Sequence, residues 1–159
     1  MESYIYIDGW KAKIRFSSAH IIPEYKKCGR LHGHSYAVHA KITGIPDEKG
    51  IIIDFSSLKE ILKDIVNSLD HRILIPSENN GMKLDKINNN IEIKVIGKNY
   101  VFPKEDCVLL PVESTSAENL SKYILDELIE RLSLPDRIKK VEIGVDEGYG
   151  QGARITKEL

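Results

Sequence analysis

Apolar and polar residues alternate near the start of the chain. Ala12, Ile14 and Phe16 interleave with Lys11, Lys13 and Arg15, the period of two that marks a half-buried strand. The pattern predicts one long strand from Tyr4 to His20. Its parity continues through Ser18, so His20 leaves the strand on the core-facing side. Ile21 to Leu31, punctuated by Pro23 and Gly29, reads as a loop. A second strand follows, with His34, Tyr36, Val38, Ala40 and Ile42 on one face and Ser35, Ala37, His39 and Lys41 on the other. Residues Gly44 to Gly50 form a turn-rich connection.

The period then changes. Leu58, Ile61, Leu62, Ile65, Val66 and Leu69 make one apolar helical stripe. Asp54-Phe55-Ser56-Ser57 opens that helix, Ser57 with Glu60 fits a capping box, and Pro76 prevents continuation. Ser77 to Asn90 is polar and reads as an exposed loop. Ile91 to Val95 and Tyr100 to Phe102, around Gly97-Lys98-Asn99, predict a small hairpin. Val108 to Pro111 is a short strand. A second helix starts near Ser116, with Thr115-x-x-Glu118 as its capping box and Ala117, Leu120, Ile124, Leu128 and Leu132 as its buried stripe. Pro135 closes it. Lys140 to Val145 and Ala153 to Lys157 read as strands around a turn containing Gly148, Gly150 and Gly152. This order predicts an α+β fold in which an antiparallel four-stranded sheet carries two helices on one face, with a small inserted hairpin. One domain is expected over residues 1–159, with 77–107 as an inserted loop and hairpin.

Composition narrows the function classes. The 159 residues carry a formal net charge of −1. Basic residues do not cluster with aromatics, which argues against a nucleic-acid partner. Two cysteines, Cys28 and Cys107, are too few for a disulfide framework. Met1 to Gly9 has no apolar run that would suggest a signal peptide, and no segment has the length of a membrane span. A cytoplasmic, reducing setting is expected.

The chemistry concentrates in Cys28-Gly29-Arg30-Leu31-His32-Gly33-His34 and the preceding His20. Three of the chain's five histidines fall in this region. His32 and His34, at i and i+2 of a strand, point the same way, whereas His39 has the other parity. With His20 they form a His₃ set suited to zinc with an open fourth position. Cys28 is either a thiolate beside the metal or a fourth ligand closing a structural site. Asp70-His71 reads as a helix C-cap or as a proton-handling pair. Glu147, at a strand end, offers a bidentate acceptor to a guanidine-like ring edge. Ser116 starts a helix, where its backbone N–H meets polar groups.

Phe16-Ser17-Ser18-Ala19-His20, the Cys28 to His34 segment, Asp54-Phe55, Leu69-Asp70-His71, Ser116-Ala117-Glu118-Asn119 and Val145-Asp146-Glu147 occur in the order seen in the 6-pyruvoyl-tetrahydropterin synthase family. The resemblance spans nearly the whole chain. The short Cys-x₃-His spacing resembles the 6-carboxy-tetrahydropterin synthase branch, which serves 7-deazaguanine (queuosine-type) biosynthesis. The resemblance implies a tunnelling fold and a hexamer of two stacked trimers, with active sites between subunits. It implies zinc on His20, His32 and His34, Cys28 as base, Asp70 and His71 as a proton relay, Glu147 as the pterin anchor and Ser116 beside the ring. The implied reaction is a zinc-dependent lyase step on 7,8-dihydroneopterin triphosphate that yields 6-carboxy-tetrahydropterin, acetaldehyde and triphosphate. Lys26, Lys27 and Arg30 are candidate phosphate contacts. Pyruvoyl-tetrahydropterin formation, aldol-type side-chain removal and a non-catalytic zinc-binding oligomer are the competing readings. The polar 77–107 segment and Gly148, where many members have Thr, depart from the family pattern.

Overall fold

A computed structural model describes residues 1–159. Its main sheet is built from β1 (Ser3–Ile7), β2 (Arg15–His20), β3 (His32–Gly44), β4 (Arg72–Pro76), β8 (Cys107–Leu110), β9 (Ile138–Glu147) and β10 (Gly152–Glu158). The strand order is β10-β9-β3-β2-β4-β8, with β1 also paired to β3. Helices α1 (Phe55–Leu69) and α2 (Ala117–Arg131) cover one face. Their stripes share a single core with Phe16, Tyr36, Val38 and Ile42 of the sheet. The α+β expectation is met. Its four antiparallel strands β10, β9, β3 and β2 are extended by β4 and β8, which run parallel to β2 and to each other.

The predicted long strand from Tyr4 to His20 is broken. β1 pairs with β3 from Ser3↔Gly44 to Ile7↔Ala40, and β2 resumes at Arg15↔Ala37. Both halves lie along the same edge of β3 and run in the same direction, so residues 8–14 are an excursion from one strand line. Asp8 Oδ1 accepts the Trp10 amide at 2.9 Å and turns the chain out. Gly9 then returns so close to β3 that a Cβ would stand 2.0 Å from the Val38 carbonyl oxygen.

Asp54, rather than Ser57, caps α1: its Oδ2 accepts the Ser57 amide at 2.7 Å. Ser116, rather than Thr115, caps α2. The polar stretch predicted as a loop contains β5 (Met82–Ile87), which joins β6 (Asn90–Val95) and β7 (Lys98–Pro103) in a three-stranded sheet in place of a hairpin. Met82, Ile91, Ile93 and Val95 bury a second, smaller core against Ile21, Ile75 and Cys107. Neither helix is long and apolar enough to cross a membrane.

Leu62 of α1 is fully buried. Leu62→Ala is expected to cost about 2–5 kcal/mol of unfolding free energy in urea titration. Gly9→Ala, whose methyl meets backbone that cannot yield, is expected to destabilise as well.

Candidate metal centre and adjoining cavity

Strand pairing assembles the histidines. His20 ends β2 directly opposite His32 of β3, and His34 follows two residues along on the same face. The ring centroids lie 4.6 Å (His20–His32), 5.1 Å (His20–His34) and 5.0 Å (His32–His34) apart. One nitrogen from each falls within 4.8 Å of the others.

Their hydrogen bonds prepare them for a cation. His20 Nδ1 lies 3.0 Å from the Thr115 carbonyl oxygen, and His32 Nδ1 lies 2.7 Å from the Arg30 carbonyl oxygen. Each carbonyl can only accept, so each Nδ1 carries the proton and each Nε2 is left with a lone pair. Those two Nε2 atoms face one another at 3.1 Å. Two acceptors at that range with no proton between them repel unless a cation lies there. Tetrahedral zinc, with Zn–N near 2.1 Å, sets nitrogens about 3.4 Å apart. Burial pulls the His20 pKa down to about 4, outweighing the Thr115 carbonyl bond that pushes it up. A neutral imidazole is the form a metal needs. The donor set therefore fits zinc.

A cavity of about 350 Å³ opens beside the triad, lined also by Cys28, Tyr25, Ser116, Glu147 and Gln151. Cys28 sits on the loop between β2 and β3, closed by Ile22 N–H to the Cys28 carbonyl at 2.8 Å and Gly29 N–H to the Tyr25 carbonyl at 2.7 Å. Glu147 ends β9 opposite Tyr36, with Oε2 3.8 Å from His34 Nε2. Ser116 Oγ accepts the Asn119 amide at 3.3 Å, and Ser116 forms part of the cavity wall at the α2 N-terminus. Lys26, Lys27 and Arg30 are exposed and outside that wall.

Asp70 and His71 lie elsewhere. Asp70 ends α1 and accepts the Ser17 amide at 2.8 Å and His71 Nδ1 at 2.9 Å. Partial burial opposes its ionisation, but the Ser17 amide and the His71 ring outweigh that and lower its pKa. His71, at φ 56°, lines a different depression with Ser17, Ala19, Gly33 and Ser35, of opposite parity to the triad, and with Ser18 and His34, of the same parity. Only His34 borders both openings. Within one chain, Cys28 and His71 do not meet.

Two supporting residues were not singled out by the sequence. Thr115 is fully buried and orients His20 through its carbonyl and its hydroxyl, 3.2 Å from Nδ1. Its place beside a helix start made it look like a cap. The second is Tyr36, fully buried with its hydroxyl 3.4 Å from His20 Nδ1. Burial raises its pKa far above the usual phenol value, so it stays neutral. His39 points away from the triad, as its parity predicts, and is held at both ring nitrogens. Its Nε2 bonds Asp146 at 2.8 Å, and its Nδ1 accepts the Gly9 amide at 3.1 Å.

The family model for 6-pyruvoyl tetrahydropterin synthase matches residues 10–158. A Methanocaldococcus jannaschii protein provisionally named 6-carboxy-5,6,7,8-tetrahydropterin synthase is 38% identical over 157 residues, covering 96% of each chain. The Aquifex aeolicus 6-carboxy-5,6,7,8-tetrahydropterin synthase is 26% identical over 144 residues, covering 84% of this chain and 78% of that one. The Plasmodium falciparum 6-pyruvoyl tetrahydropterin synthase structure superposes with a TM-score of 0.91 at 33% identity, covering 99% of both chains.

In metal-free protein the unfolded chain takes up the His20 proton before the folded chain does. The stability is full above pH 6.5 and falls as pH drops from 6.5 to about 4, by a loss on the order of 3 kcal/mol. Urea titrations across that range should show the decline, and His20→Gln should flatten it.

Proposed function

We propose, from the premise that the chain belongs to the 6-pyruvoyl tetrahydropterin synthase family, that it is a zinc-dependent lyase converting 7,8-dihydroneopterin triphosphate to 6-carboxy-5,6,7,8-tetrahydropterin, a step toward 7-deazaguanine compounds. The observation that carries this reading is the convergence of three clustered imidazoles, the Cys28 thiol and the Glu147 carboxylate on one cavity. The chain's similarity to 6-carboxy-tetrahydropterin synthases supports the choice of branch.

His20, His32 and His34 would hold zinc, which when bound supplies a Lewis acid for the substrate's side-chain oxygens. The Cys28 thiolate removes a proton from the pterin side chain. Glu147 accepts two N–H donors from the guanidine-like edge of the ring, which fixes the side chain against Cys28. Ser116 borders the ring from the α2 N-terminus. The second proton-handling group would come from another copy, because His71 lines a different depression from the one Cys28 lines. Asp70 orients it, leaving Nε2 for the substrate. A hexamer built as a dimer of trimers supplies such a copy. The wide depression next to the cavity carries Glu24, Glu78, Glu113 and Glu118, so the triphosphate lies away from it.

A structural zinc site closed by Cys28 would need neither Glu147 nor the Asp70–His71 pair. The 6-pyruvoyl product is the reading favoured by the Plasmodium falciparum likeness. Purified protein with dihydroneopterin triphosphate is expected to release acetaldehyde and 6-carboxy-tetrahydropterin. A pyruvoyl pterin would move the chain to the other branch, and absence of any pterin turnover would overturn the reading. Cys28→Ala should retain zinc by elemental analysis while turnover falls by about 10²–10⁴-fold. Mixing inactive Cys28→Ala and His71→Ala chains should restore up to about a quarter of wild-type activity, since sites shared between subunits then regain both groups.

A further inference from the structure

The three-stranded insert braces both ends of the loop that carries Cys28. Ile21, one residue past His20, is buried in the small core with Ile91, Ile93 and Val95 of β6. At the other end, Gly29 is buried, and a Cβ on it would stand 2.9 Å from Ile96 Cδ1 and 2.7 Å from the Tyr25 carbonyl oxygen. Ile96 therefore rests directly on Gly29, the residue after Cys28.

Ile96 is an unusual occupant of its position. It occupies the two-residue turn between Val95 and Lys98, paired across β6 and β7, with φ 51° followed by Gly97 at φ 68°. Two consecutive left-handed residues make the tight hairpin turn for which Asn-Gly is the favoured sequence. A β-branched residue there is strained. Ile96 is also 53% exposed and contributes nothing to the hairpin's buried side. Turn chemistry and core packing thus both disfavour isoleucine, and its contact with Gly29 is what isoleucine adds.

We infer that Ile96 is a positioning residue, holding the hairpin tip against Gly29 so that the Cys28 thiol stays fixed beside the histidine triad. The strain in the turn is retained because the contact serves the site rather than the hairpin. This rests on Cys28 being the proposed base, but its test does not depend on turnover.

The test is the rate of carbamidomethylation of Cys28 by iodoacetamide at one pH, quantified by peptide mass spectrometry on the full chain. Cys107, buried under the same small sheet, is the internal reference. Ile96→Asn relaxes the turn and removes the contact, so Tm should hold or rise while Cys28 labelling speeds up by about threefold or more. Ile96→Leu keeps an apolar contact and should label at the wild-type rate. Cys107 labelling should be unchanged in both. The inference is overturned if Cys28 in Ile96→Asn labels at the wild-type rate. A matching rise at Cys107 overturns it too, since the insert then matters only as structure, and so does a rise of equal size in Ile96→Leu. Retained turnover in Cys28→Ala would instead overturn the role of Cys28 and leave the loop result standing.

Discussion

The register between β2 and β3 is the constraint on which the rest depends. With His20 opposite His32, one ligand from a strand end and two from a strand start converge without any long-range search. A slip of one residue would turn His32 and His34 to the other face, together with Tyr36 and Val38. The same register therefore packs the core and gathers the metal ligands. Neither can be shifted alone, because Phe16 stacks on Tyr36 at 4.5 Å in the core that both helices cover.

Convergence has a cost that a bound cation would offset. Burial disfavours protonation of His20, and the bare Nε2 lone pairs of His20 and His32 repel at 3.1 Å. The carbonyls of Thr115 and Arg30 fix the protons on Nδ1 of His20 and His32, which leaves those lone pairs free for a cation. Such outer-shell partners orient metal ligands and raise their basicity. Thr115 is carried by the approach to α2, whose stripe packs against the sheet. Helix docking and ligand orientation are thus one event.

Much of this was legible in the sequence because strand parity is a local property. The alternation through Phe16, Ser18 and His20 and that from His34 to Ile42 both reflect one buried face, so the triad could be read from spacing. The break at residues 8–14 was not legible. Its cause is the Asp8 turn and the close approach of Gly9 to Val38, a tertiary contact without local periodicity. β4 and β5 were missed for a related reason. β4 follows directly on the helix stripe, and β5 is a mostly exposed strand whose pairing partner supplies the order its own sequence lacks. The role of Thr115 is not legible because buried and capping threonines look alike until the neighbouring histidine is placed.

The placement of Asp70 and His71 argues that the proposed chemistry is a property of an assembly. A proton relay needs donor and acceptor within about 3 Å, yet Cys28 and His71 line separate openings that share only His34. A second chain can bring a His71 to the Cys28 cavity. The outer edges of β10 and β8 have no partner strand, and unpaired edges invite strand addition. The register that makes the metal centre thus also separates His71 from the Cys28 cavity within one chain, and the proposed reading supplies it from a neighbouring subunit.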